Sequence, residues 1–346
     1  MNSTPRTRMI RVRRLTSGRV GRLIARSAAV VILVLLVAFV VVPQYSDAQR
    51  ALQSVGELSP LPFALGLGLE LASLAAFGAL TRVALDPTTR PRYPTVLRID
   101  LTGIAVTNAV PGGGATALAV RYGLLTRARV PAAAVAGGLA VETVVSNLLL
   151  GAVFAAGLVL SLGSVPSSPY LWLAGGFIVL IFGTAAIALL LAVRHPAKAG
   201  GVVRSATRAL SVARQDRAVA FVEAVVVAVA AFTADRRRLG AAVIWGLANW
   251  LLDVAALGVF LAAFGYHPTP GHLLLAYGLA SILALVPITP GGLGVIEGVL
   301  VPTLVALGSP YGIAVLGVTA WRLVQFWMPI PLGGVSALSL VAASKP

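Results

Sequence analysis

The hydrophobic positions of this chain gather into long runs. Ser27 to Val42, Leu61 to Leu80, Val130 to Leu162, Tyr170 to Val193, Leu239 to Phe264 and Gly312 to Leu340 are apolar almost throughout. A membrane-spanning helix needs roughly 20 such residues, so these six stretches read as spans. The first follows a basic region, as a signal peptide would. The sequence after it, Pro43-Gln-Tyr-Ser-Asp-Ala48, offers no small-x-small cleavage site, so it reads as an uncleaved span.

Two further apolar stretches are interrupted. Val96 to Leu125 is broken at Asn108-Ala-Val-Pro-Gly-Gly-Gly114, and His272 to Leu307 at Pro287-Ile-Thr-Pro-Gly-Gly-Leu-Gly294. Each reads as a re-entrant hairpin. A further stretch, Ala218 to Ala234, has arginines at both ends and reads as an interfacial helix or, alternatively, as one more span, which would invert the orientation after it.

Lys and Arg set the orientation. Arg6, Arg8, Arg11, Arg13, Arg14, Arg19, Arg22 and Arg26 precede the first span without an acidic residue among them. Arg82, Arg90, Arg92 and Arg98 follow the second span, a further set from Arg194 to Arg217 follows the fourth, and Lys345 follows the last. The segments 163–169 and 265–271 carry neither Lys nor Arg. Both termini are therefore expected on the cytoplasmic side of a plasma membrane, with the first hairpin entering from inside and the second from outside.

Composition agrees with this and narrows the chemistry. Of 346 residues 58% are hydrophobic and 11% charged, with a mean hydropathy of +0.93; a soluble domain is about 25% charged. A net charge of +16 raises the question of nucleic acid. The basic tail lacks interleaved aromatics and runs straight into a span, which argues against nucleic acid and for anionic headgroups. There is no cysteine, and His195, His267 and His272 are scattered, so no metal site or other cofactor is expected.

Placing Pro111-Gly112-Gly113 over Pro290-Gly291-Gly292 brings the two halves into correspondence. Glu70 and Asp253 then occupy the spans before the breaks, and Glu142 and Arg322 the spans after them. Three spans per half is an odd number, so the second half lies upside down relative to the first. The expected fold is an all-α polytopic membrane protein with six spans, two Pro-Gly-Gly-broken hairpins and an inverted internal repeat. Its parts are a basic tail over 1–26, one repeat over 27–162 and another over 163–346, with a basic cytoplasmic segment at about 194–238.

Irregular backbone is tolerated at membrane depth only against protein or a polar cavity. The breaks therefore mark a candidate cavity, bounded by Pro111, Gly112, Gly113, Pro290, Gly291 and Gly292. The half-helices after them, Gly114 to Leu125 and Leu293 to Leu307, would turn N–H groups and positive dipole ends inward. Charged residues within spans each need a partner or water. An ion pair between Glu142 and Arg322 is expected, or alternatively Arg322 shared with an anionic substrate, for which its planar donors are suited. Glu297, Asp253 and Arg121 complete the candidate substrate-binding set. Trp245, Trp250, Trp321 and Trp327 read mostly as packing or interface anchors, and the loop histidines have no assigned role.

The segment Pro287-Ile-Thr-Pro-Gly-Gly-Leu-Gly-Val-Ile-Glu297, with Leu307-Gly308 and Ala320-Trp-Arg322 to Trp327 after it, resembles the signature of the lysylphosphatidylglycerol synthase transmembrane-region family. These flippase-like proteins are related to the amino-terminal half of the multiple peptide resistance factor. The resemblance covers roughly 27–340 and is looser in the first half, where Glu142-Thr143 and Asn147 replace the family's Glu-Arg and Asp. It implies an integral inner-membrane protein that moves or binds a phospholipid, a hopanoid or a polyprenyl-linked lipid. The sequence ends at Pro346, just past the last span, so a soluble synthase domain and lysyl transfer are not expected.

No nucleotide-binding Gly-x-x-x-x-Gly-Lys-Ser/Thr run and no catalytic constellation is visible. The expected function is a lipid flippase or lipid-substrate transporter, not an enzyme, driven by a gradient or passive. The alternative is an accessory membrane subunit that binds lipid or a partner enzyme without transport. A second copy of the chain or a partner lipid enzyme stays open as a partner.

Overall fold

The computed structural model describes residues 60–110, 112–164, 169–194, 212–286 and 289–343. The basic tail, the expected span at Ser27 to Val42, Pro111 and most of the segment between Arg194 and Arg217 lie outside these. All regular structure among the described residues is helical. In chain order the helices are α1 (Pro60–Ala84), α2 (Tyr93–Ala109), α3 (Gly113–Arg127), α4 (Ala132–Leu160), α5 (Pro169–Arg194), α6 (Val212–Ala234), α7 (Arg236–Ala263), α8 (Pro270–Leu283), α9 (Val295–Ala306), α10 (Tyr311–Arg322) and α11 (Pro329–Ala343).

Helices α1, α4 and α7 contain 25, 29 and 28 residues. At about 1.5 Å per residue, each covers the roughly 30 Å of a hydrocarbon core. With the unit Tyr311–Ala342 they make four helices long and apolar enough to cross a membrane among the described residues. Helices α2, α3, α8 and α9 contain 17, 15, 14 and 12 residues, so none of them alone covers that depth. They occupy the two stretches where broken hairpins are expected from the sequence.

Each short pair is separated by glycines in left-handed backbone. Gly112 has φ +64° ahead of α3, and Gly291 has φ +52° inside a single 3-10 turn, Pro290–Gly292. Residues with a Cβ pay for that conformation, so glycine lets the chain reverse there without strain. The starts of the first arms have their own signals. Pro94 stands in the first turn of α2, and Thr269 Oγ1 accepts the His272 N–H at 3.3 Å ahead of α8.

The last unit is not a plain α-helix. Between α10 and α11, residues Leu323–Trp327 form a π turn, with Met328 N–H bonded to Leu323 O at 3.3 Å. Pro329 follows and has no N–H to offer an α-helical ladder, and one extra residue in the turn accommodates its ring.

The helices pack with a regular correspondence. α1 lies antiparallel to α7, where Ser73 Oγ donates to Asn249 O at 2.9 Å and Asn249 Nδ2 donates to Ser73 O at 3.1 Å. α2 runs along α11, and α8 runs along α4. Both of the latter contacts are close because a glycine sits in each: a Cβ on Gly333 would meet Leu101 O and Ala105, and one on Gly157 would meet the Leu274–Leu275 backbone. Small residues let helices approach in this way in membranes.

α6, expected as an interfacial helix over Ala218 to Ala234, extends over Val212–Ala234 and buries Val229 and Phe232 among Leu80, Ala84, Val141 and Ala242. Asp235 then caps α7, its Oδ1 accepting from the N–H groups of Arg237 and Arg238 at 3.0 and 3.1 Å. Arg238 Nη2 donates to Val83 O, Ala84 O and Leu85 O at 3.2, 3.3 and 3.0 Å, which satisfies carbonyls left open at the end of α1. In the turn after α1, the hydroxyl and N–H of Thr88 both donate to Asp86 and hold its carboxyl below the ordinary range. Large apolar side chains such as Leu65, Leu160, Leu180, Ile187, Ile244 and Leu338 are exposed. Such a surface suits lipid, not water.

Gly157→Val or Gly333→Val should lower stability by about 1–3 kcal/mol, because backbone, not a flexible side chain, stands in the way. Gly176→Ala, in a helix interior where nothing lies within 4 Å of the added carbon, should instead raise it, by about 0.5–1 kcal/mol. Chaotrope unfolding in lipid nanodiscs measures the difference.

Candidate functional site

Five charged side chains inside the apolar helices form two separate centres, one in each half. In the first half Arg121, on α3, reaches two carboxylates at once. Its Nη2 lies 2.8 Å from Asp100 Oδ1 on α2 and 2.6 Å from Glu142 Oε2 on α4. The same Nη2 is 3.0 Å from Thr81 Oγ1 on α1, and the guanidinium lies 5.2 Å from the centre of the Phe77 ring. Four helices thus meet on one cation. Gly103 makes the space, since a Cβ there would come 2.6 Å from Arg121 Cδ.

In the second half Arg322, at the end of α10, donates from Nε to Glu297 Oε1 at 2.6 Å, from Nη1 to Gln325 Oε1 at 2.6 Å and from Nη2 to Gly291 O at 3.3 Å. Its guanidinium lies 4.7 Å from the Phe326 ring centre. The π turn matters here because it contains both Gln325 and Phe326. Glu297 also turns back on its own helix, where Oε2 accepts the Gly294 N–H at 2.7 Å. A carboxylate in the first turn complements the helix dipole. The inward-facing N–H expected at this half-helix is therefore occupied by the protein itself.

The pair Glu142–Arg322 expected from the sequence does not form. Each arginine takes a carboxylate from the neighbouring element of its own half: Glu142 goes to Arg121, and Arg322 to Glu297. The two centres also differ in seclusion. Side chains of Arg121, Asp100 and Glu142 are 9%, 1% and 4% exposed, whereas Glu297 is 30% exposed beside an Arg322 that is 5% exposed.

The two breaks touch each other. Asn108 Nδ2 donates to Phe326 O at 2.9 Å, and a Cβ on Gly291 would meet both Asn108 Oδ1 and the Phe326 ring. Arg322 is bonded to that same Gly291. A cavity of about 230 Å³ opens beside Arg121 and is walled by Phe77, Gly103, Thr107, Gly114 and Ala117. It is smaller than the about 300 Å³ at which ordinary ligand pockets begin.

Of the other residues expected at the site, Gly112 and Gly113 form the start of α3, Pro290 and Gly292 flank Gly291, and Pro111 lies outside the described residues. Asp253 belongs to neither arginine centre. Its Oδ2 accepts from Tyr277 OH and its Oδ1 from Trp321 Nε1, both at 2.7 Å. Trp321 is thus a buried donor instead of an interface anchor, and Trp250 likewise donates, to Ser146 O at 3.0 Å. Asp100, Thr81, Gln325, Asn108 and Tyr277 had no place among the expected residues. Among the described residues no group of three or more His, Asp or Glu is arranged to hold a metal.

Arg121→Gln leaves two buried carboxylates around an uncharged amide, and breaking a buried pair in this way costs about 3–5 kcal/mol. Adding Glu142→Gln to it should recover part of the loss. Arg322→Gln should cost less, because Glu297 can turn outward. Unfolding of the three variants in nanodiscs provides the comparison.

Comparison with known proteins now places this arrangement. Two archaeal UPF0104 membrane proteins are among the relatives, one from Methanothermobacter thermautotrophicus at 32% identity over 106 residues, 30% of this chain and 30% of the relative. The other, from Pyrococcus horikoshii, is 28% identical over 103 residues, 30% of this chain and 31% of the relative. The matched segments therefore span about a third of each relative's length. The profile of the lysylphosphatidylglycerol synthase transmembrane region matches residues 24–333. With nearly the whole chain matched, the protein belongs to the lysylphosphatidylglycerol synthase transmembrane-region family of membrane proteins.

Proposed function

We propose that this protein is a lipid flippase or lipid-substrate transporter of the plasma membrane, built as two inverted repeats that expose a midplane site alternately to each side. The observation that carries the reading is the contact between two broken helix pairs, with one arginine–carboxylate centre behind each break. In the repeat reading α1, α2, α3 and α4 correspond to α7, α8, α9 and the α10–α11 unit. The reciprocal packing of α2 on α11 and of α8 on α4 supports it. The four short helices are then the arms of two re-entrant hairpins whose tips meet at Asn108 and Gly291. Inverted repeats with discontinuous helices at a midplane site are a recurrent transporter construction.

The arginine centres suggest how an anionic headgroup is held. Arg322 spends two donors on side chains and a longer one on Gly291 O, and its partner Glu297 is the most accessible member of either centre. A phosphate that displaces Glu297 recovers the bidentate geometry for which guanidinium is suited. The cavity beside Arg121, in the other half, is a second polar recess on the path of the headgroup and has no room for acyl chains, which stay against the exposed apolar faces. A membrane phospholipid or polyprenyl-linked lipid fits this division.

Filling the cavity tests the reading without disturbing the ion pairs. Gly114→Leu adds a side chain where nothing lies within 4 Å of the new Cβ. It should reduce movement of fluorescent phosphatidylglycerol across proteoliposomes at least tenfold with stability unchanged, and Arg322→Gln should reduce it as much at some cost in stability. Wild-type protein that retains the lipid in native mass spectrometry but never moves it would favour the accessory-subunit reading instead.

A further inference from the structure

The transport reading leaves one buried group unused: the carboxyl pair between α1 and α7. The Ser73–Asn249 hydrogen bonds fix the antiparallel register of these helices. One turn further along, toward the start of α1 and the end of α7, the same register sets Glu70 against Asp253. Their carboxyl groups face each other, both residues are buried, at 3% and 7% exposed, and Glu70 Oε2 finds no donor. Tyr277 from α8 and Trp321 from α10 each donate to Asp253 at 2.7 Å, and Ser281 lies against Tyr277. The nearest cation is Arg322, the residue after Trp321, and it is already bonded to Glu297.

Two carboxyl groups set against each other in apolar surroundings hold a proton between them. Tyr277 and Trp321 donate to Asp253 and favour its charged form, whereas Glu70 Oε2 has no donor, so Glu70 keeps the proton and the pair carries a single negative charge. Removing that proton would leave two charges in contact within apolar surroundings, where like charges cannot both persist side by side. The contact between α1 and α7 would then open. Such a pair titrates as one unit.

We propose that Glu70 and Asp253 form a binding site for one exchangeable proton at mid-depth, and that its release loosens the α1–α7 contact so that lipid movement draws on a proton gradient. The coupling half rests on the transporter reading; the proton site does not. The route to the lipid centre is short. Asp253 holds Trp321, the next residue is Arg322, and Arg322 holds Gly291 at the contact between the breaks. A shift of Asp253 therefore moves the guanidinium that the headgroup would engage.

The experiment has two parts. Infrared spectra of the protein in nanodiscs should show a protonated-carboxyl band that disappears reversibly as pH is raised and is missing in Glu70→Gln. Glutamine can still donate to Asp253, so the variant should fold. Carbon-13 glutamate labelling of the unsubstituted protein should shift the band and so assigns it even if the variant does not fold. A band that persists in Glu70→Gln, or no band at any pH, overturns the site. In proteoliposomes at clamped membrane potential, reversing an imposed pH gradient should change the rate of phosphatidylglycerol movement at least tenfold in the wild type and leave Glu70→Gln unaffected. A rate that follows sodium instead of pH, or ignores both, overturns the coupling. A titrating band in a protein that moves no lipid keeps the proton site and removes the transporter reading.

Discussion

Polar groups inside hydrocarbon have no water to fall back on, and this constraint governs the structure at two scales. For the backbone it means that the breaks at Gly112 and Gly291 must be covered by protein. At Gly291 that cover is Asn108 and the Phe326 ring of the π turn. For side chains it means that a guanidinium at mid-depth must bring its own anions. Arg121 does so with Asp100 and Glu142, and thereby ties α2, α3 and α4 into one body with Thr81 of α1.

The second centre meets the same constraint more loosely. Arg322 has one carboxylate, one amide and one peptide oxygen, and the carboxylate is partly accessible. A cation with two buried anions is a structural knot. A cation with one partly exposed anion is held less firmly. The asymmetry makes the centre of the first half the firmer of the two.

The larger features were legible in the sequence because they depend on runs of residues. Apolar length marked α1, α4, α5 and α7, and the Pro-Gly-Gly segments marked the places where α3 and the 3-10 turn begin. Pairing was not legible, because it depends on which helix faces which. Glu142 and Arg322 align in the two halves, yet an equivalent position in a repeat does not imply contact, and each charge found a partner one element away. Asp100 stands two residues after Arg98 near the start of the first interrupted stretch, and nothing in the sequence sets it opposite Arg121. Tyr277 lay in an apolar run, and its role exists only opposite Asp253. The π turn had a visible cause in Pro329 and Pro331, but which residues it would redirect toward Arg322 could not be read from the chain alone.

That turn has a consequence for the phase of the final helix. One residue of an α-helix corresponds to about 100° of rotation, so the extra residue in Leu323–Trp327 offsets everything after it relative to α10. The face of α11 that carries Gly333 meets α2 in this offset setting. α10 carries Trp321 and Arg322 and α11 carries the contact with α2, so the turn acts as a phase shifter: it sets the angle at which a helix holding buried polar partners is joined to one packed through a glycine.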